Sequence, residues 1–266
     1  MENKKYNGAV FFDVDGTLVD ETCGIYTPTD KTRKAINTLK SRGYLTAIAT
    51  GRSKCYMADV DVDFDCYITC NGAVVEINNQ VISRDVFSND KKIELVDYLK
   101  SHNFGFNLET REKCYYGPTK LELMKKFLEL FSINQNCFAP LEDSAAVPAS
   151  KSMIMFDSLE QFELLKKKFA NDFLIVKHVG YMSADINNIG ITKAVGIKSV
   201  ITKLNIPEEN TFAFGDGMND LDMLAAVAHG IAMTPHEDAL LQVADYVTGS
   251  VSDEGIYNAL NHFELL

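Results

Sequence analysis

The apolar run Gly8-Ala9-Val10-Phe11-Phe12 stops at Asp13-Val14-Asp15-Gly16-Thr17, and short apolar runs that end in polar turns recur along the chain. Residues 44–49 lead into Thr50-Gly51-Arg52-Ser53, and 66–69 into Asn71-Gly72. Residues 211–214 lead into Gly215-Asp216-Gly217-Met218-Asn219-Asp220. Runs this short, bounded by turn residues, predict strands buried on both faces. Between the first two, Ala35, Ile36 and Leu39 repeat at helical spacing. Thr27-Pro28-Thr29-Asp30 offers N-cap candidates for that helix, and Gly43 ends it. A short helix is expected after Ser53. Strands alternating with helices predict a parallel sheet with right-handed crossovers.

The middle of the chain has a different rhythm. Apolar stretches at 74–77 and 80–83 flank Asn78-Asn79, a hairpin signal. Helices are expected at about 88–102, 119–131 and 158–169. Strands are expected at 104–108, 113–116, 152–156, 173–177 and 181–186, and residues 132–150, with Pro140 and Pro148, read as irregular. Hairpins with interspersed helices predict an α+β segment, mostly antiparallel. The strand–helix alternation returns after about Asn188, with helices at 192–204, from Asp220, near 237–244 and near 253–263, and a short strand at 230–233. The expected architecture is therefore α/β: a Rossmann-like parallel-sheet core formed by residues 1–83 and 186–266, with an inserted α+β domain at 84–185.

The 266 residues, 46% of them hydrophobic, suffice for two such domains. A net charge of −11 opposes binding to nucleic acid or anionic membranes, but not to cations. No apolar run approaches the roughly 20 residues that span a bilayer. The N-terminal residues enter the first strand without a signal-peptide pattern, so a cytoplasmic location is expected. The six cysteines form no C-x-x-C pair and the five histidines do not repeat at ligand spacing, which favours free thiols over a zinc site.

The chemistry lies at the strand ends. Ligands of open α/β sheets bind beyond the carboxyl ends of the strands, and Asp13, Thr50, Asn71 and Asp216 each stand there in the predicted order. Two carboxylates one residue apart, followed by a glycine that permits a turn, offer hard oxygen ligands of the kind Mg²⁺ takes; the alternative is a solvated acidic turn. A calcium loop of the EF-hand kind does not fit, because Leu18 and Gly24 stand where its glycine and closing glutamate belong. Thr50-Gly51-Arg52 can offer a hydroxyl and backbone N–H groups to an anion. Lys193, in the first turn of a predicted helix, opposes the helix dipole unless an anion is near.

In this order, Asp13-Val14-Asp15-Gly16-Thr17, Thr50-Gly51-Arg52, Lys193 and Gly215-Asp216-Gly217-Met218-Asn219-Asp220 resemble the motifs of the haloacid dehalogenase superfamily of phosphohydrolases. Asn71-Gly72-Ala73, Ala244-Asp245-Tyr246-Val247-Thr248 and Asp253-Glu254-Gly255-Ile256 resemble its Cof-like branch, which carries a large inserted cap. The resemblance implies a Mg²⁺-dependent phosphatase acting on small phosphorylated metabolites, such as sugar phosphates, through an aspartyl-phosphate. It makes Asp13 the nucleophile and Asp15 the general acid. Metal ligands would be the Asp13 and Asp216 carboxylates and the Asp15 carbonyl. Thr50, Gly51, Lys193 and Asn219 would contact phosphate, and Asp220 would hold the metal site or Lys193 from behind. A sugar phosphomutase and a catalytically weak phosphometabolite sensor are the alternatives. In the cap, Arg111, Tyr115, Tyr116, His178 and Tyr181 are polar or aromatic candidates without assigned roles. Two positions depart from the family pattern: Ala194 follows the lysine where glycine is common, and Thr234-Pro235-His236 replaces Gly-Asn-Ala.

Overall fold

The computed structural model describes residues 5–57, 60–130 and 135–266. Its contacts divide the chain into two units. The first comprises 1–50, 59–82 and 192–266, and the second 51–58 and 83–191.

The first unit holds strands β1 (Gly8–Phe12), β2 (Tyr44–Ala49), β3 (Cys66–Thr69), β4 (Val74–Ile77) and the first three residues of β5 (Gln80–Arg84). Its helix α1 (Asp30–Ser41) lies between β1 and β2. In the second unit, helices α2 (Asn89–Ser101), α3 (Leu121–Leu130) and α4 (Leu159–Lys168) are interspersed with β6 (Gly105–Glu109), β7 (Cys114–Tyr116), β8 (Phe138–Pro140), β9 (Lys151–Met155), β10 (Phe173–Lys177) and β11 (Ser183–Asn188). The chain then returns to the first unit with α5 (Lys193–Leu204), β12 (Thr211–Gly215), α6 (Leu221–Leu224), β13 (His229–Ala232), β14 (Tyr246–Val247) and α7 (Gly255–His262).

The sheet of the first unit has the order β14-β13-β12-β1-β2-β3-β4-β5. From β14 to β3 every pair is parallel, and β4 runs antiparallel to β3. The chain winds outward from β1 through β2 to β3, then returns to the other side of β1 as β12. The strand order therefore reverses between β1 and β12, the place where this architecture opens a crevice beyond the strand ends. Val10, Phe11 and Phe12 are fully buried, as a strand covered on both faces requires. On one face Ala9, Phe11, Ala47, Ile68 and Ala213 meet Ile197, Val200 and Ile201 of α5. The ring of Phe12 stacks on Phe214 at 5.2 Å, which packs the last residues of β1 against β12.

Local signals account for several boundaries. Thr29 caps α1, its hydroxyl accepting from the Thr32 N–H at 3.2 Å. Asn78 and Asn79 join β4 to β5 with φ of 49° and 62°, the left-handed pair that a two-residue hairpin turn demands.

The sheet of the second unit has the order β10-β11-β9-β6-β7-β8. Phe106, Leu108, Ile154, Ala184 and Ile186 form one face and pack on Leu95, Val96 and Leu99 of α2 and Phe162 and Leu165 of α4. The intervening positions Asn107, Glu109, Lys151, Met153, Asp185 and Asn187 point the other way and are also buried.

Some expectations need correction. Residues 138–140, read as irregular, form β8, which pairs parallel with β7 in an otherwise antiparallel sheet. Pro140 is tolerated because β8 is the edge strand. The helix expected from Asp220 is a single turn of α6 preceded by a 3₁₀ turn at Met218–Asp220. The helix expected near 237–244 is a 3₁₀ segment, Asp238–Gln242. The short helix after Ser53 is a 3₁₀ turn, Lys54–Tyr56. The end of the helix expected to reach 131, and residues 132–134 of the irregular stretch, lie outside the described residues. Among the described residues no helix is long and apolar enough to cross a membrane.

Candidate active site

Asp13 is the first residue past β1, and its N–H donates to the carbonyl of Phe214 at 3.0 Å, which ties it to β12. Two residues past Phe214, Asp216 begins the turn after β12. The parallel pairing of Phe12 with Phe214 thus brings the two carboxylates together at the switch point. Carboxylate oxygens of Asp13, Asp216 and Asp220 lie within 4.8 Å of one another. Gly16 turns the chain at φ +77°, and a Cβ there would strike the Asp216 carboxylate. Thr17, fully buried, donates its hydroxyl to Asp216 Oδ1 at 3.0 Å.

Lys193 opens α5 and is 1% exposed. Its Nζ lies 2.8 Å from Asp13 Oδ1 and 2.6 Å from Asp220 Oδ1. The anions that its place in a first helical turn calls for are these two side chains. Asp220 is fully committed to neighbours: Oδ1 holds Lys193, while Oδ2 accepts from the N–H groups of Asp216 at 3.0 Å and Gly217 at 2.9 Å. Asp220 therefore orients both the lysine and the turn that carries Asp216.

The electrostatics reflect three carboxylates around one ammonium. Burial pushes the Asp13 carboxyl up to about 7; the charges of Asp220 and Asp15 add to this and Lys193 opposes it. Burial, then the charges of Asp220 and Asp13, push Asp216 up to about 9. Burial works against the Lys193 charge, but Asp13 and Asp220 outweigh it and hold the ammonium above the ordinary lysine range. Asp13 and Asp216 sit in surroundings that disfavour their anionic forms, and further positive charge would stabilise them. Hard oxygen donors at this density suit a small divalent cation.

The remaining predicted residues occupy adjoining strand ends. Thr50 is fully buried; its N–H donates to Ile68 O at 2.9 Å and its carbonyl accepts from Asn71 N–H at 3.0 Å, joining the ends of β2 and β3. Asn71 stands in a left-handed turn, φ 57°, and Asn219 Nδ2 approaches its Oδ1 at 3.5 Å. Gly72, φ +99°, lies so close to Thr192, the N-cap of α5, that a Cβ would overlap the Thr192 carbonyl. This turn thereby sets where α5, and with it Lys193, begins. Asp15 is half-buried beside the turn at Gly16. Gly51 follows Thr50 but groups with the second unit, where its carbonyl accepts from Lys151 Nζ at 2.8 Å.

Two features escaped sequence reasoning. Thr17 was read as part of a motif without its bond to Asp216. The buried polar cluster of the second unit also went unseen: Lys151 Nζ lies 3.3 Å from Glu109 Oε1 and 2.9 Å from Asp185 Oδ1. Tyr56 donates to Glu109 at 2.9 Å, and His178 Nε2 lies 3.3 Å from Asp185. Of the unassigned cap candidates, His178 joins this network; Tyr115 and Tyr116 lie on β7, and Tyr181 is 48% exposed.

Comparison with known proteins gives this arrangement a context. The family described as haloacid dehalogenase-like hydrolase matches residues 10–260. A putative phosphatase of Bacillus subtilis, YkrA, is 29% identical over 97% of this chain and 98% of its own length. The B. subtilis protein YcsE, named a 5-amino-6-(5-phospho-D-ribitylamino)uracil phosphatase, is 26% identical over 96% of this chain and 95% of its own. Among solved structures, the HAD subclass IIB sugar phosphatase BT4131 superposes with a TM-score of 0.86 at 25% identity, covering 97% of this chain and 100% of that one. The motifs, the sheet that unites them and the match over nearly the whole chain agree, and the chain belongs to the haloacid dehalogenase-like hydrolases, as a Cof-like phosphohydrolase.

Proposed function

We propose that this protein is a Mg²⁺-dependent phosphatase that hydrolyses small phosphorylated metabolites, sugar phosphates or similar phosphomonoesters, through an aspartyl-phosphate on Asp13. The observation that carries the reading is the contact of Asp13 with Lys193 at the β1/β12 switch point, beside Asp216 and Asp220. The substrate class draws on the relatives, one named for a phosphorylated ribityl compound and one for sugar phosphates.

In this reading an Asp13 oxygen attacks phosphorus and the bond to the leaving oxygen breaks. Asp15 gives that oxygen its proton, then takes a proton from the water that attacks the phosphorus of the intermediate. The Asp13–phosphorus bond breaks in this second step and inorganic phosphate leaves. Lys193, fixed by Asp220, meets negative charge on the phosphoryl oxygens without having to reorganise. Thr50, Gly51 and Asn219 supply hydroxyl, N–H and amide donors to the same oxygens. The Asp13 and Asp216 carboxylates and the Asp15 carbonyl would hold Mg²⁺, whose charge eases the approach of an anionic nucleophile to a phosphate dianion.

The test is phosphate release from a panel of phosphorylated sugars, polyols and nucleotides, with and without Mg²⁺. Release that depends on Mg²⁺ and is lost in Asp13→Asn is expected. Equal turnover by Asp13→Asn would exclude Asp13 as nucleophile, and isomerised hexose phosphate without free phosphate would make the protein a mutase.

A further inference from the structure

Three of the six cysteines meet within the second unit. Cys55 stands on the 3₁₀ turn Lys54–Tyr56, Cys114 opens β7, and Cys137 closes the 3₁₀ turn before β8. Pairing of Cys114 with Phe138 brings Cys137 beside the start of β7. Cys55 Sγ lies 3.7 Å from Cys114 Sγ, and Cys137 is buried in the same cluster. Tyr56 and Phe138 close around the thiols. Cys114 is fully buried and Cys137 nearly so, whereas Cys55 is half-buried, so one thiol of the group is reachable and its partner is shielded.

The environment of Cys55 favours reaction. Hydrogen bonding from Cys114 holds its thiol below the ordinary cysteine range, with Ser53 and Cys137 assisting and burial and the Glu109 charge opposing. Cys23, the exposed cysteine, is in the opposite situation: its hydrogen bond to Asp20 raises its thiol. Thiolates are the attacking species in disulfide exchange. Two sulfurs at 3.7 Å are already at van der Waals contact, and side-chain rotation is the movement needed to approach the bonded separation of about 2.05 Å.

We propose that Cys55 and Cys114 form a dithiol that exchanges with small-molecule disulfides, Cys55 attacking and Cys114 resolving. The Cys55 thiolate bonds to one sulfur of the small disulfide, whose S–S bond breaks and releases one thiolate. The sulfur of Cys114 bonds to Cys55 Sγ, the bond from Cys55 to the second small sulfur breaks, and that departing thiolate takes the Cys114 proton. Two protein thiols are oxidised and one disulfide is reduced to two thiols. The bond would tether the turn that follows Thr50-Gly51-Arg52 to β7. That segment already docks in the second unit through Lys151 on Gly51, Ser53 on Thr110 and Tyr56 on Glu109.

The full-length protein is incubated with oxidised glutathione, alkylated, digested and mapped by mass spectrometry. A Cys55–Cys114 cross-linked peptide that dithiothreitol removes is expected. Cys114→Ser should trap a glutathione adduct on Cys55. Cys55→Ser, checked by circular dichroism to be folded, should yield neither product. Adducts confined to Cys23, a cross-link to Cys137, or an unmodified Cys55 would overturn the assignment.

Discussion

Asp220→Asn tests whether the carboxylate behind the site organises it. The substitution keeps the shape of the side chain and removes its charge and one acceptor. Asp220 serves Lys193 through one oxygen and two backbone N–H groups through the other. Asparagine has one oxygen and one NH₂. If its oxygen stays with the N–H groups of Asp216 and Gly217, its NH₂ faces the Lys193 ammonium; if it turns over, the NH₂ faces both N–H groups. Donor meets donor either way, in a position with no measurable exposure. Breaking a buried ion pair by removing one partner costs about 3–5 kcal/mol. Some of this is returned, because the Asp220 charge is also what raises the Asp13 and Asp216 carboxyls, after burial. A net loss of about 3 kcal/mol, at the lower end of that range, is expected. At about 2–4 °C per kcal/mol, the first unit should melt roughly 6–12 °C lower. Differential scanning calorimetry of metal-free protein measures this, with Asp222→Asn, at an exposed position two residues on, as the control. If Asp220→Asn melted no lower than Asp222→Asn, Asp220 would not be the support of Lys193 and the Asp216 turn described above.

Asp13→Asn should abolish phosphoenzyme and turnover, whereas Asp15→Asn should slow leaving-group departure and intermediate hydrolysis while retaining Mg²⁺ binding by calorimetric titration; loss of that binding in Asp15→Asn would contradict the division of labour between them. Gly72→Ala should destabilise the first unit by more than the roughly 1 kcal/mol of left-handed strain alone, because its Cβ would overlap Thr192 O; a urea titration measures this, and a cost under 1 kcal/mol would mean the turn and α5 do not pack so closely. In the second unit Asp185 is buried, which raises its carboxyl, but Lys151 and then His178 hold it well below the usual carboxylate range. A depressed carboxyl contributes stability that is complete above its unfolded value of about 3.9 and lost as pH falls further. The melting gap between wild type and Asp185→Asn should therefore narrow from pH 6 to pH 3, and a constant gap would show that the Asp185 charge is not what stabilises the unit.

Much of the first unit is legible because its strands are buried on both faces. Val10-Phe11-Phe12 and Phe212-Ala213-Phe214 have no polar position to mislead a reader, and each run stops just before its carboxylates begin. Their adjacency in space, across about two hundred residues, is the reversal of strand order that doubly wound sheets share. What composition cannot convey is the division of bonds among the carboxylates. Residue type alone does not tell Asp216 from Asp220, but the turn between them aims one at Thr17 and wraps the other around two N–H groups.

The second unit is harder to read for a physical reason. In 106–109 and 183–187 polar residues alternate with apolar ones, the pattern of a sheet with one face in water. Here that face is covered, and Asn107, Glu109, Lys151, Asp185 and Asn187 are each less than 10% exposed. Period-two alternation reports which residues share a face, not what lies over it. Residues 51–57, far away in the sequence, supply contacts on that face through Gly51 and Tyr56. The missing signal was in the residue types. A lysine and two carboxylates that meet from β9, β6 and β11 at solvent-face positions would be worth little to stability if exposed. Buried, as Lys151, Glu109 and Asp185 are, the group must be kept complete, because removing any member leaves an uncompensated charge. The same enclosure that conceals this face brings Cys55 against Cys114, two thiols whose positions in the chain carry no hint that they touch.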